Sequence, residues 1–122
     1  TTGYPIADVT ELMAGIIRTM LARPQLARAM ITSVNARRAE STVSGDYNLR
    51  SNILGVAGIA APTADETQIA LLLEQCAYGI LSWAITGETT PEQAERDMRR
   101  ACELLMAPWR RRTRTRRNEV DR

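Results

Sequence analysis

With no histidine and no lysine in the chain, nucleophilic chemistry falls to two cysteines, Cys76 and Cys102. The missing histidine removes Ser-His-Asp and Cys-His catalysis, histidine zinc sites and histidine proton shuttles. The missing lysine removes Schiff-base chemistry and the phosphate-binding lysine of Walker-type loops; all 16 basic residues are arginine. Both cysteines lie inside helical patterns, so they read as reduced, buried thiols and not as a disulfide framework. Glu92, Glu95, Asp97 and Glu103 cluster on one helix with arginines between them. Such a mixture reads as a solvated helix face, and no metal or cofactor is expected. Trp83 and Trp109 read as core or interface anchors. An enzyme is the least supported of the function classes.

The surrounding elements carry more information. The chain has 122 residues, enough for one domain with a real core. It has no phenylalanine, so aliphatic side chains and five methionines must fill the interior. Methionine is flexible and polarizable, which suits a pocket that adapts to apolar ligands. The segment 69–85, IALLLEQCAYGILSWAI, carries one charge, Glu74. A surface helix needs one apolar stripe, and this one has two. Ile69, Leu72, Leu73, Cys76, Ile80 and Trp83 form the first. Leu71, Tyr78, Leu81 and Ile85 form the second. One face can pack on the chain's own core, so the other calls for a second subunit, a ligand, or both.

Glycine and proline divide the chain into five helical segments, and no strand pattern competes. The first opens at Asp8 or earlier, with Val9, Met13, Ile16, Ile17, Met20 and Leu21 on one face. Gly15 lies within it and permits close approach by a neighbour or a ligand. Pro24 opens the second, which runs to about Arg38 with Leu26, Ala27, Met30, Ile31 and Val34 inward. Residues 39–47 read as a loop. The third segment spans about 47–60, carries Leu49, Ile53 and Val56, and is weakened by Gly55 and Gly58. Thr63 and Glu66 have capping-box spacing at the start of the fourth, and Gly87 closes it. Thr90, Pro91 and Gln93 open the fifth, which buries Ala94, Met98, Ala101, Leu104 and Leu105. Pro108 ends it.

Charge is uneven. Residues 1–109 hold nine arginines against twelve acids, while 110–122 hold seven arginines against two. The tail therefore reads as a basic, disordered end. The apolar run of the fourth segment falls short of a membrane span and is flanked by acids. With no targeting motif visible, no membrane partner is expected and the cytoplasm is the default location.

GILSWAITGETTPEQAERDMRRACELLM, residues 79–106, resembles the end of a TetR-family repressor. It has a glycine within the penultimate helix, a tryptophan near that helix's end, a tight turn, and a closing amphipathic helix. MLARPQLARAM, residues 20–30, is similar to the family's junction between helices five and six, and more faintly to its repressors of steroid and lipid catabolism. The resemblance implies an all-α, five-helix regulatory domain over residues 1–109, matching helices five to nine of the family, with residues 110–122 as a tail. DNA would be read by an N-terminal helix-turn-helix domain that does not lie within this chain. The last two helices of each subunit would pack as a four-helix bundle in a homodimer, through Ala77, Gly79, Ile80, Leu81, Trp83, Ala84, Met98, Ala101 and Leu105. A hydrophobic small-molecule effector, such as a fatty acyl, sterol or terpenoid, would lie among the other helices and alter DNA affinity. Met13, Ile16, Ile17 and Met20 would form one wall; Met30, Ile31 and Val34 a second; Leu49, Ile53 and Val56 a third. Leu72 and Cys76 would close it, with Asn35, Asn52, Gln75 or Tyr78 as polar hooks. The alternative is a helical dimeric protein–protein interaction module with no small-molecule site.

Overall fold

The computed structural model describes residues 4–40 and 49–110, with side chains described for 4–33 and 49–110. The tail from 111 onward, most of the 39–47 loop, and the side chains of Val34, Asn35, Arg37 and Arg38 lie outside the described residues. Five helices follow in order: α1 Ile6–Leu21, α2 Pro24–Glu40, α3 Leu49–Val56, α4 Ala64–Ile85 and α5 Pro91–Leu105. No strand occurs among the described residues. The fold is all-α, as the periodicity predicts.

Helix α4 is the axis of the molecule, and α1, α2, α3 and α5 all pack against it. Its 22 residues span about 33 Å. By length and composition it could cross a membrane; here the other four helices pack against it and leave part of its surface uncovered. Its buried stripe is Glu66, Ala70, Leu73, Glu74, Ala77 and Leu81. The two stripes seen in the sequence flank this one; Ala70 and Ala77, which carry little hydrophobic weight, belong to the buried stripe between them. On α1 the core stripe is Val9, Met13, Ala14 and Ile17; on α5 it is Ala94, Met98 and Cys102, continued by Met106 and Trp109. Each large aliphatic side chain in this set contributes roughly 1.5–3 kcal/mol by leaving water.

The helix ends follow local chemistry. The Glu66 N–H donates to Thr63 Oγ1 at 3.1 Å and the Thr63 N–H donates to Glu66 Oε1 at 2.9 Å, a complete capping box. Glu66 also accepts from the Tyr4 hydroxyl at 2.8 Å, and the Tyr4 ring stacks on Trp109 at 4.7 Å. The start of α1, the start of α4 and the end of the described chain thus meet in one polar–aromatic cluster. Gly87, at φ +83°, closes α4: its N–H donates to the Ala84 carbonyl, and the Glu88 N–H to that of Trp83. Thr90 caps α5, but Gln93 does not reciprocate; its side chain turns to Arg96 and Asp97.

Several expected positions move. α3 ends at Val56, and Gly58, at φ +74°, is its left-handed closing residue and not an interior one. Leu26 on α2 is 53% exposed and Leu104 on α5 is 58% exposed. In each helix the neighbouring phase, carried by Ala27 and Cys102, is the one that reaches the core. Beyond α5 the chain makes one more helical turn over 107–110, which seats Trp109 in the core despite Pro108.

Candidate functional site: a side cavity and an uncovered helical face

A cavity of about 470 Å³ lies on the flank of α1. α1 supplies Glu11, Leu12, Gly15, Ile16, Thr19 and Met20, a single helical stripe beside its core stripe. α2 supplies Met30, α3 supplies Leu49, and α4 supplies Ala77, Tyr78 and Leu81. The size is that of a small-molecule site, roughly 300–1,000 Å³. Gly15 is central to it. A Cβ built there meets only the Arg18 guanidinium, at 3.7 Å, so the absent side chain adds to the open volume. The lining is apolar apart from Glu11, Thr19 and Tyr78.

Glu11 belongs to the cavity and also to the α1–α5 seam. Arg99 Nη1 donates to its Oε1 at 2.6 Å, and Arg99 Nη2 to its Oε2 at 3.3 Å. Arg99 also bridges to Glu95 at 3.3 Å, and Glu95 accepts from Arg18 at 3.4 Å. The Arg99 hydrogen bonds and charge hold the Glu11 carboxyl below the usual carboxylate range. The network is solvated, so it orients side chains more than it stabilises the fold.

The expected ligand residues divide. Ile16, Met20, Met30 and Leu49 line the cavity. Met13, Ile17 and Ile53 do not; they are fully buried in the core, because α1 turns the first two toward α4 and α5 and α3 packs Ile53 inward against α4 and α1. Ile31 is half-buried against the core, and Asn52 is half-buried away from the lining. Val56, Leu72 and Gln75 are exposed, and Val34 and Asn35 lie outside the described side chains. Cys76 lines a different feature, on the other side of α4. Of the proposed hooks, Tyr78 reaches the lining. Glu11, Leu12, Thr19, Ala77 and Leu81 were not expected there. The signal that pointed to them was Gly15, a mid-helix glycine with Leu12, Ile16 and Thr19 at neighbouring helical positions.

The second feature is an uncovered face. Leu72, Cys76, Gly79, Ile80 and Trp83 form one stripe along α4, on the side away from the cavity. Trp83 is 63% exposed. Cys76, Gly79, Ile80 and Trp83 line a groove of about 350 Å³ closed by Thr89 and by Asp97 of α5. Leu104 extends apolar surface along the Asp97 side of α5. A Cβ at Gly79 meets nothing within 4 Å, so nothing in a single chain requires glycine there. Of the residues assigned to an interface, Gly79 and Trp83 are exposed, and Ile80, Ala84, Ala101 and Leu105 are half-buried. Ala77, Leu81 and Met98 are sealed in the chain's own core, so they cannot touch a partner. Their phase on the helices points to α1, not outward.

The cysteines differ. Both are free, but Cys102 is buried while Cys76 is half-buried at the groove, against the expectation that both would be enclosed. Burial pushes the Cys102 thiol up to about 11, with the Thr10 hydroxyl acting the other way. A neutral, enclosed thiol of this kind is a packing group. Among the described residues no group of three or more His, Cys, Asp or Glu side chains comes together to hold a metal.

No curated protein and no solved structure matches this chain. A family model does: the tetracyclin repressor-like, C-terminal domain matches residues 4–105. An all-α core with a side cavity and an uncovered pair of closing helices accords with that match, and the chain belongs to this family of regulatory domains.

Proposed function

We propose that residues 1–109 form the effector-sensing and dimerisation domain of a DNA-binding transcriptional repressor, with 110–122 as a basic tail. In this reading the chain is a homodimer in the cytoplasm that binds a hydrophobic small molecule and catalyses nothing. DNA is contacted by a separate N-terminal domain of the whole protein. The observation that carries the reading is that one helix serves both features. α4 gives Ala77, Tyr78 and Leu81 to the cavity, and Cys76, Gly79, Ile80 and Trp83 to the uncovered groove on its other side. A ligand in the cavity packs against the same helix that a partner grips. It favours whichever dimer arrangement it binds better, by the difference in binding free energy and no more.

The proposed interface is the stripe Leu72, Cys76, Gly79, Ile80, Trp83 and Ala84 of α4 with Ala101, Leu104 and Leu105 of α5. Two copies of such helices pair as a four-helix bundle, and Gly79 lets the backbones approach. Native mass spectrometry of the purified chain tests both halves. A dimer carrying a few hundred daltons of extra mass, reduced to monomer by Trp83→Glu with helicity retained, supports the reading. A bare dimer that takes up no apolar probe favours an interaction module without a ligand. A monomer at micromolar concentration overturns the assignment of the α4 face.

A further inference from the structure

We propose that the cavity selects an apolar molecule whose polar end donates a hydrogen bond, as a hydroxyl or an amine does, and that Glu11 reads that end. The inference rests on the cavity being the effector site. Three polar residues line it: Glu11, Thr19 and Tyr78. The two hydroxyls can donate or accept, so they do not discriminate. Glu11 does discriminate, because an ionised carboxylate only accepts. Arg99 takes one bond at each carboxylate oxygen from the α5 side. A carboxylate offers about four acceptor positions, so acceptor capacity remains on Glu11, whose side chain stands 63% exposed at the rim of the cavity.

The two nearby cations are shared with carboxylates: Arg99 bonds Glu11 and Glu95, and Arg18 reaches Glu95 through Nη1 at 3.4 Å, while its Nη2 lies 3.7 Å from where a Gly15 Cβ would stand. Among the described residues no arginine lines the cavity. A ligand carboxylate at the Glu11 end would meet a like charge there. This narrows the expectation drawn from the sequence: an alcohol or amine of sterol or terpenoid type suits the site, and a free fatty acid does not. Residues 1–109 hold nine arginines against twelve acids, so the body's net charge by itself also favours a cation over an anion. The comparison of wild type with Glu11→Gln isolates the share that comes from Glu11.

The test compares decanol, decylamine and decanoate as displacers of Nile red from the purified full chain at pH 7. Wild type is set against Glu11→Gln, so that differences in ligand hydrophobicity cancel. Glu11→Gln is expected to weaken decylamine about threefold, to strengthen decanoate by a similar factor, and to move decanol least, as suits a solvated carboxylate. Arg99→Met frees the carboxylate, and decylamine should then bind as well or better. If Glu11 acted only by bracing the α1–α5 seam, both variants would weaken all three ligands alike, which overturns the proposal. Unchanged relative affinities in Glu11→Gln also overturn it. Gly15→Trp, which projects into the cavity, separates this from the underlying reading, with Thr19→Trp as a second filler should the first not fold. If Nile red and the three ligands still bind to the filled variant, the cavity is not the site. If filling abolishes binding but wild type prefers decanoate, the cavity stands and the donor selectivity falls.

Discussion

Glu74 is 1% exposed on the core face of α4, a carboxylate where the periodicity calls for an apolar residue. Its Oε2 accepts the backbone N–H of Arg50 at 3.2 Å, and its Oε1 faces Arg50 Nε at 3.4 Å. It therefore caps the first turn of α3 from a neighbouring helix and places negative charge at that helix's positive end. Glu74→Ala should lower stability by roughly 1.5–3 kcal/mol, read as a shift in the urea midpoint, because it removes charge-assisted bonds from a buried donor. Glu11 predicts a pH effect. Its carboxyl is depressed by Arg99, so its contribution is present above the ordinary carboxylate range and is lost as pH falls through the depressed value. Thermal melts from pH 7 to 3 should show a shallower acid limb in Glu11→Gln. Cys102 acts at the other end of the scale. Its thiol is raised from 9.0 to about 11, so its contribution is intact below pH 9 and declines as pH rises toward 11. At the residue scale the sequence showed which chemistries were absent, from the missing histidine and lysine. It did not show that Glu66 and Glu74 would be buried, since their partners, Tyr4 and Arg50, lie 62 and 24 residues away.

The helices themselves were legible because their ends are set locally. Thr63, Glu66, Gly87 and Thr90 act within four residues of where they stand, and each does as its spacing predicts. Gly58 was misplaced because a glycine inside a helix and one that closes it look alike in sequence. The structure separates them, and the prediction differs at the two glycines of α3. Gly55 has open space around a would-be Cβ, so Gly55→Ala should stabilise by up to about 1 kcal/mol. Gly58 has a positive φ and donates to the Gly55 carbonyl while Ile59 donates to that of Leu54, so Gly58→Ala should destabilise by about 1 kcal/mol. Opposite shifts in melting temperature for the two variants would establish the point. Which face of α4 meets which neighbour was harder to read. The helix is apolar nearly all round, and its buried stripe includes Ala70 and Ala77, which register least on a hydrophobic scale. The same difficulty moved the cavity: Met13 and Ile17 are the same residue types as Met20 and Ile16, and the packing of α1 on α4 and α5 is what separates core from wall.

At the scale of the whole molecule, the cavity and the uncovered face lie on opposite sides of one helix. Assembly is then the property to measure. Cys76 reports on it chemically. It sits at the groove, so a maleimide should label it quickly in dilute or Trp83→Glu protein and slowly in a concentrated wild-type sample, while Cys102 stays unreactive in both. Equal labelling of Cys76 in all three samples would place the partner elsewhere. The two tryptophans extend this without any added label. Trp109 is enclosed and stacked on Tyr4, whereas Trp83 stands largely in water. One indole should therefore emit to the blue, resist acrylamide and collect excitation from its tyrosine neighbour, while the other emits to the red and is readily quenched. With no further tryptophan in the chain, intrinsic fluorescence resolves into an optical gauge of core integrity and an optical gauge of self-association, read from the same cuvette.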